Sequence, residues 1–308
     1  MIQVQELTKS YGAKTVVDRA SFTVQPGMVT GFLGPNGAGK STTMRMITGL
    51  AKPTSGQVLV NGHRFTSSKH PLAEVGTLLE AKSVHKSLTP KAHLGAMAAS
   101  NGIPRSRVGE VLELTGLSSV ARKKVGGFSL GMGQRLGIAT ALLGDPQVLI
   151  LDEPVNGLDP EGVAWVRRLA RQQAAAGKTV FISSHLMSEM AQTADHLVVI
   201  GRGRILADAP MSEFLDNGLA QTRVRAEELE TLMSALAADG VSMTRIDATT
   251  LEVTGPEAAQ IGRRALEAGV ALSELRPLVR TLEDAYMELT SGSVEYQSHS
   301  TPSGRHAS

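Results

Sequence analysis

An α/β fold on a parallel sheet is what this chain predicts, from a glycine-rich phosphate loop, a later apolar run ending on two carboxylates, and alternating strand and helix periodicity. The loop reads Gly34-Pro35-Asn36-Gly37-Ala38-Gly39-Lys40-Ser41. A phosphate chain carries several negative charges, so its site needs many donors at close range and no side chains in the way. Glycines at 34, 37 and 39 allow backbone N–H groups to point inward, and the helix that follows aims its positive end at the same place. Lys40 is placed to reach the β- and γ-phosphates and Ser41 to coordinate Mg²⁺.

The elements follow in order. Ala20 to Val24 and Val29 to Leu33 read as strands, Thr42 onward through Met44, Met46 and Ile47 as a helix, and Gln57 to Val60 as a further strand. From about Val84 to Leu143 the spacing turns helical. Thr89-Pro90 caps a helix running through His93, Met97 and Ala98, and Val108, Val111, Leu112 and Leu114 mark another. Ser129-Leu130-Gly131-Met132-Gly133-Gln134-Arg135 opens a third helix with a positive end. Val148 to Leu151 is a continuous apolar run, as expected of a parallel strand buried on both faces, and ends in Asp152-Glu153. Ligands of such sheets gather at the carboxyl ends of the strands. Asp159-Pro160-Glu161 reads as a helix cap with proline at the first helical position. Thr179 to Ser183 is another strand with Ser184-His185 just past it, and strands at Leu197 and Ile205, separated by helices, complete a βαβ-type parallel core.

Phosphate loop, Ser129 to Arg135, then Asp152-Glu153: this order resembles the ATP-binding subunits of ABC transporters. The resemblance implies a P-loop NTPase core of ABC type over residues 1–215 with a helical subdomain at about 84–143. It also implies ATP and Mg²⁺ as cofactors. Gly34 through Thr42 would hold the nucleotide, Asp152 with Ser41 the metal, usually through water, and Glu153 would polarise the attacking water. His185 matches the residue that contacts the γ-phosphate and that water. Tyr11, in Lys9-Ser10-Tyr11-Gly12, matches the aromatic that stacks on adenine, and Asn156-Gly157-Leu158-Asp159 matches the segment that meets the partner subunit. Two copies would stack head to tail, each ATP held by the P-loop of one and by Ser129 and Gly131 of the other. The helical subdomain, with the loop at Glu80, would face a separate transmembrane permease.

Two positions depart from the family pattern. Where Leu-Ser-Gly-Gly-Gln is usual, the chain has Phe128-Ser129-Leu130-Gly131-Met132, and Leu130 in place of the first glycine narrows the approach to the helix start. Glu80 stands where most members carry glutamine. A carboxylate is a better hard-cation ligand but adds negative charge beside the γ-phosphate. Glu80 followed by Ala-Lys-x-Val-His resembles a branch of exporter ATPases common in actinobacteria and related to bacitracin- and lantibiotic-type export and immunity systems.

Composition sets limits. The 308 residues can hold one large domain and a smaller one. The absence of cysteine excludes a disulfide framework or thiolate metal site and fits a reducing cytoplasm. The start lacks the pattern of a signal peptide, and no stretch approaches the ~20 apolar residues that span a bilayer. The expectation is a peripheral protein on the cytoplasmic face of the membrane. With a net charge of +2, Arg122-Lys123-Lys124 and the Arg-Arg pairs read as solvated faces, so no nucleic-acid partner is expected. The interval from Ser41 to Ser129 is too short for the coiled coils of DNA-repair and chromosome-organising relatives, and ribosome-acting relatives carry two cassettes where this chain has one phosphate loop. Kinases and GTPases leave Ser129 to Arg135 unexplained. A soluble ATPase working on an assembly scaffold is the alternative to the exporter.

Beyond about Leu215 these motifs stop. Thr222–Arg225, Val241–Ile246, Leu251–Val253 and Val270–Leu275 read as strands. Glu227–Ala238, Pro256–Ala268 and Thr281–Thr290 read as helices, the last opened by a capping box of Thr281 and Asp284. The order β-α-β-β-α-β suggests a small split βαβ sandwich, an α+β accessory domain over 216–290. The polar stretch 291–308 reads as a disordered tail in which His299 and His306 are too isolated for a metal site.

Overall fold

The structure is a computed structural model that describes residues 1–79, 84–215, 220–238, 240–278 and 281–290. Glu80 and the expected tail from 291 lie outside the described residues. The chain divides into two compact units, Met1–Met211 together with the chain from Tyr286, and Ser212–Ala285.

The first unit begins with β1 (Ile2–Tyr11), β2 (Lys14–Val24), β3 (Val29–Leu33), α1 (Lys40–Ile47), β4 (Ser55–Val60), α2 (Pro71–Glu74) and β5 (Val75–Leu78). Helices α3 (Pro90–Ser100), α4 (Ser106–Leu114) and α5 (Leu130–Leu142) follow. Then come β6 (Val148–Leu151), α6 (Pro160–Ala175), β7 (Thr179–Ser184), α7 (Met187–Thr193), β8 (His196–Gly201) and β9 (Arg204–Pro210), and α8 (Met211–Leu215) carries the chain into the second unit.

Six strands form one sheet in the order β5-β6-β7-β3-β8-β9, with β3 and β7 at its centre. Every residue of β3, β6 and β7 is buried, which is why β6 is a continuous apolar run and the other two carry only small polar residues among their apolar ones rather than alternating. The pleat sends Phe32 of β3 toward a second, antiparallel sheet of order β2-β1-β4, where Phe22, Phe32 and Phe181 stack with ring centroids 5.1–5.8 Å apart. Gly31 points the other way and has no room for a side chain, because a Cβ there would lie 2.3 Å from Met190 Sδ of α7. The parallel sheet is thus clamped between a β layer and a helical layer.

One expectation fails. β9 is not a further parallel strand reached through a helix; it returns antiparallel beside β8. Arg202 and Gly203 join them, both at positive φ (48° and 80°), the two-residue turn whose twist suits a hairpin. Thr89 caps α3 as expected, its Oγ1 accepting from Ala92 N at 3.2 Å with Pro90 at the first helical position.

The second unit runs β10 (Ala220–Ala226), α9 (Leu229–Leu236), β11 (Ser242–Arg245), β12 (Thr250–Gly255), α10 (Ala258–Glu267) and β13 (Leu272–Leu278), and α11 (Leu282–Thr290) closes the described chain. Its sheet has the order β11-β12-β10-β13 with antiparallel neighbours, the arrangement of a split βαβ fold. Val224, Leu229, Leu232, Leu251, Val253 and Ile261 form its own core. At α11, Thr281 N donates to Asp284 Oδ2 at 3.0 Å and Asp284 N to Thr281 Oγ1 at 3.2 Å, the expected capping box.

Helix α5 lies so close to the sheet edge that a Cβ at Gly76 of β5 would fall 2.0 Å from Ala141 O and 2.7 Å from Pro146 Cγ. Gly76→Ala is therefore expected to lower stability by about 1–3 kcal/mol through overpacking. Urea unfolding followed by fluorescence of Trp165, the single tryptophan, measures this, and an unchanged midpoint would show that α5 can withdraw at no cost.

Candidate active site

The phosphate loop leaves the carboxyl end of β3, the middle of the parallel sheet. Its glycines serve different needs. A Cβ at Gly34 would lie 2.3 Å from Ile200 O, so the requirement there is space. Gly39 is held at φ 111° with Val16 O 2.9 Å from where its Cβ would stand, and this left-handed residue is the N-cap of α1. The helix accordingly starts at Lys40, two residues earlier than the apolar spacing suggests. Pro35, Asn36 and Gly37 face solvent, while Ala38, Gly39 and Lys40 are buried. Ser41 and Thr42 follow on the first turn, with Ser41 exposed.

Lys40 is only 7% exposed. Its Nζ donates to Gly34 O at 2.6 Å and lies 3.9 Å from Glu153 Oε1. Burial holds its pKa below that of an ordinary lysine, and the negative charges of Glu153 and Asp152 push back in the other direction.

Asp152 and Glu153 stand directly past the end of β6. Ser183 of β7 ties them together: its hydroxyl donates to Asp152 Oδ1 at 2.5 Å and accepts from Glu153 N at 2.9 Å. Glu153 itself sits at φ 49°, in the left-handed region. Its backbone oxygen accepts from Gln134 Nε2 at 2.9 Å, and its Oε2 lies 2.7 Å from His185 Nδ1. The structure thus gathers Lys40 and His185 around the Glu153 carboxylate. Such a group, held between a ring nitrogen and an ammonium, can orient a water molecule and accept its proton.

Sequence reasoning singled out neither Ser183 nor Gln134 for this site. The available signals were the polar Ser183 inside the apolar run of β7 and the position of Gln134 within the Ser129–Arg135 segment.

The donor set fits Mg²⁺. Ser41 and Asp152 offer hard oxygen ligands, and Asp152 Oδ2 has no partner among the described residues. Among these residues no cluster of three or more His, Cys, Asp or Glu is present, and Mg²⁺ is typically held by one or two carboxylates plus phosphate and water.

The remaining predicted residues lie elsewhere on the unit. Ser129 caps α5, its Oγ accepting from Met132 N at 3.2 Å. Gly131, and Leu130 beside it, stand against Gly157 and Leu158: a Cβ at Gly131 would be 3.0 Å from Gly157 O, and one at Gly157 would be 2.2 Å from Leu130 Cδ2. Among the described residues none of these makes a hydrogen bond to the chain's own phosphate loop. Asp159 caps α6, its Oδ1 accepting from Gly162 N at 2.8 Å. Tyr11 is 54% exposed at the end of β1, with Lys9 Nζ 4.8 Å from its ring centroid. It is joined by a short hairpin to β2, whose Val16 and Val17 pass Gly39.

Comparison with known proteins accords with this geometry. The family model described as "ABC transporter" matches residues 17–156, and a domain of unknown function matches residues 220–283. The chain is 46% identical over 213 residues to the bacitracin transport ATP-binding protein BcrA of Bacillus licheniformis, covering 68% of this chain and 70% of that one. It is 34% identical over 301 residues to the protein of that name in Enterococcus faecalis, covering 95% and 97%. A solved ATP-binding subunit of an ABC transporter superimposes with a TM-score of 0.64 at 28% identity, covering 70% of this chain and 91% of that one.

Replacing Lys40 by alanine removes the one buried ammonium from the loop. Lys40→Ala is expected to weaken ATP binding tenfold or more, measured by displacement of a fluorescent analogue, and affinity within twofold of the original would exclude Lys40 as a phosphate ligand.

Proposed function

The chain belongs to the ABC transporter ATP-binding proteins, and on that footing we propose that it powers export of a drug, an antibiotic peptide or a lipid through a separate membrane permease by binding and hydrolysing ATP. The observation that carries the ATPase reading is the Glu153 carboxylate, placed between Lys40 and His185 beside the phosphate loop. The backbone N–H groups of the glycine-rich loop, Pro35 contributing none, and the Lys40 ammonium hold the phosphates, Lys40 giving up its bond to Gly34 O to do so. Glu153 orients the attacking water and takes its hydrogen bond, while His185 contacts the γ-phosphate from the other side. Ser41 and Asp152, with Glu80 as a further candidate ligand, would hold Mg²⁺, which would supply positive charge against the phosphates. Catalysis of this kind is positioning and charge stabilisation rather than covalent chemistry.

A homodimer is supported by where Ser129 and Gly131 stand. They present the start of α5, with its unsatisfied N–H groups, away from the chain's own loop. A second copy stacked head to tail brings such donors to the γ-phosphate, with Asn156–Asp159 at the contact and Tyr11 on adenine. For the permease, a cleft of about 350 Å³ is lined by Arg45, Leu50, Thr77, Leu79, Gly137 and Thr140. Exposed Leu50 in that cleft gives a membrane partner an apolar contact. No helix among the described residues is long and apolar enough to cross a membrane, in keeping with a peripheral subunit on its cytoplasmic face. Export rather than import, and the cargo class, rest on the names of the bacitracin relatives.

Glu153→Gln keeps the shape of the site but removes the base. The expectation is normal ATP binding, turnover reduced at least a hundredfold, and a nucleotide-trapped dimer seen by gel filtration. Tagged Glu153→Gln protein taken from detergent-solubilised membranes with ATP should bring down a polytopic membrane protein in stoichiometric amount. A soluble scaffold in its place would turn the reading to an assembly ATPase, and normal steady-state hydrolysis would remove Glu153 from its role.

A further inference from the structure

A buried side-chain contact joins α5 to the backbone of Glu153. Gln134 is 4% exposed, one of few buried polar side chains, and its amide is directed at a backbone oxygen two elements away. That oxygen belongs to Glu153, whose φ of 49° is uncommon for a residue with a long side chain. Such a conformation persists only where its surroundings over-determine it. Here they do so on three sides. Ser183 Oγ accepts from Glu153 N at 2.9 Å, Gln134 Nε2 donates to Glu153 O at 2.9 Å, and His185 Nδ1 meets the carboxylate at 2.7 Å.

We infer that Gln134 is a positioning residue for hydrolysis, which holds the backbone of Glu153 left-handed from a helix of the same chain so that its carboxylate stays at His185. This rests on reading Glu153 as the group that orients water. The helix that carries Gln134 is itself fixed near that loop. Leu130 leans on Gly157, Arg135 stacks over the Trp165 ring of α6 with its guanidinium carbon 4.6 Å from the centroid, and Arg135 Nη1 donates to Thr115 O at 3.2 Å. A shift of the first turns of α5 against the loop after β6 would therefore draw the Gln134 amide off Glu153 O. The Glu153 peptide could then turn, and the carboxylate would leave His185. Geometry of this kind lets a displacement at the helical segment reach the water-orienting group without passing through the nucleotide.

The test is steady-state ATP hydrolysis by the purified full chain, with kcat and KM determined separately. Gln134→Met keeps the length and loses the donor; Gln134→Glu keeps size and polarity and offers only acceptors. Both are expected to lower kcat tenfold or more while KM stays within twofold and melting temperature changes little. In a Glu153→Gln background the same substitutions should alter the residual rate by less than twofold, because the group they act through is already disabled. A kcat within twofold of the original in either folded variant overturns the inference, as does an equal fold loss in both backgrounds, which would place the action of Gln134 elsewhere. Full turnover by Glu153→Gln alone overturns the reading of Glu153 itself, whereas loss there without loss at Gln134 overturns only the present inference. Should Gln134→Met fail to fold, Gln134→Glu is read by the same criteria.

Discussion

Three neighbouring parallel strands must hold one register for this site to exist. The pairing sets Leu151 of β6 opposite Ile182 of β7 and Leu33 of β3 opposite Ser184, so Asp152 comes out beside Ser183 and Gly34 beside His185. Nothing in the carboxylates or the loop enforces that. It follows from the packing on both faces of the sheet, with Phe22, Phe32 and Phe181 on one side and Met190 pressed against Gly31 on the other. In a parallel pair a slip of one residue exchanges the faces of every side chain, so a core this different on its two sides leaves one register. The hydroxyl of Ser183 then reports the alignment directly, reaching Asp152 and Glu153 at the same time.

That alignment brings a cost in charge. Lys40 is buried among carbonyls, and burial alone favours its neutral form. Two carboxylates from the end of β6 offset part of this, which explains why the acidic pair lies on the next strand but one rather than at a distance. A phosphate chain brought to the loop supplies further negative charge where the ammonium is most exposed to desolvation. The loop, the lysine and the acidic strand end are therefore one electrostatic unit, and the fold can present it only at the carboxyl ends of these strands.

Much of this was legible in the residues because it is local. The phosphate loop, the apolar runs of β3, β6 and β7, the Thr89 and Asp159 caps and the capping box at Thr281 all depend on side chains within a few positions of one another. The β-α-β-β-α-β order after β9 could likewise be read from alternation, with strand ends moved by one to three residues, since those ends are set by partner strands. What escaped depends on distant pairing. Ser183 and Gln134 are an ordinary strand serine and an ordinary helix glutamine until β7 lies beside β6 and α5 lies on the loop beyond it. The antiparallel return of β9 hangs on two residues, Arg202-Gly203, whose turn geometry outweighs the βαβ rhythm before it. Tyr11 lies beside Lys9 near the strand passing Gly39, a position that its sequence neighbourhood alone does not convey.

The departure at Leu130 gains a physical account from its neighbour. In a family pattern with glycine there, the first turn of α5 is bare; here Leu130 fills the space above Gly157 instead of standing over the helix start. Gly157 makes this possible twice over, at φ 75° and with no Cβ where Leu130 Cδ2 lies. Ser129 still caps the helix, and it satisfies the N–H of Met132 only. The N–H groups of Leu130 and Gly131 belong to the orphan donors of a helix start, and such donors need acceptors from outside the helix. The chain's own loop does not supply them. A leucine folded down onto Gly157 is therefore compatible with an intact Ser129 cap, and the first N–H groups of α5 stay available to an acceptor from outside the helix, as the proposed stacking of two copies requires.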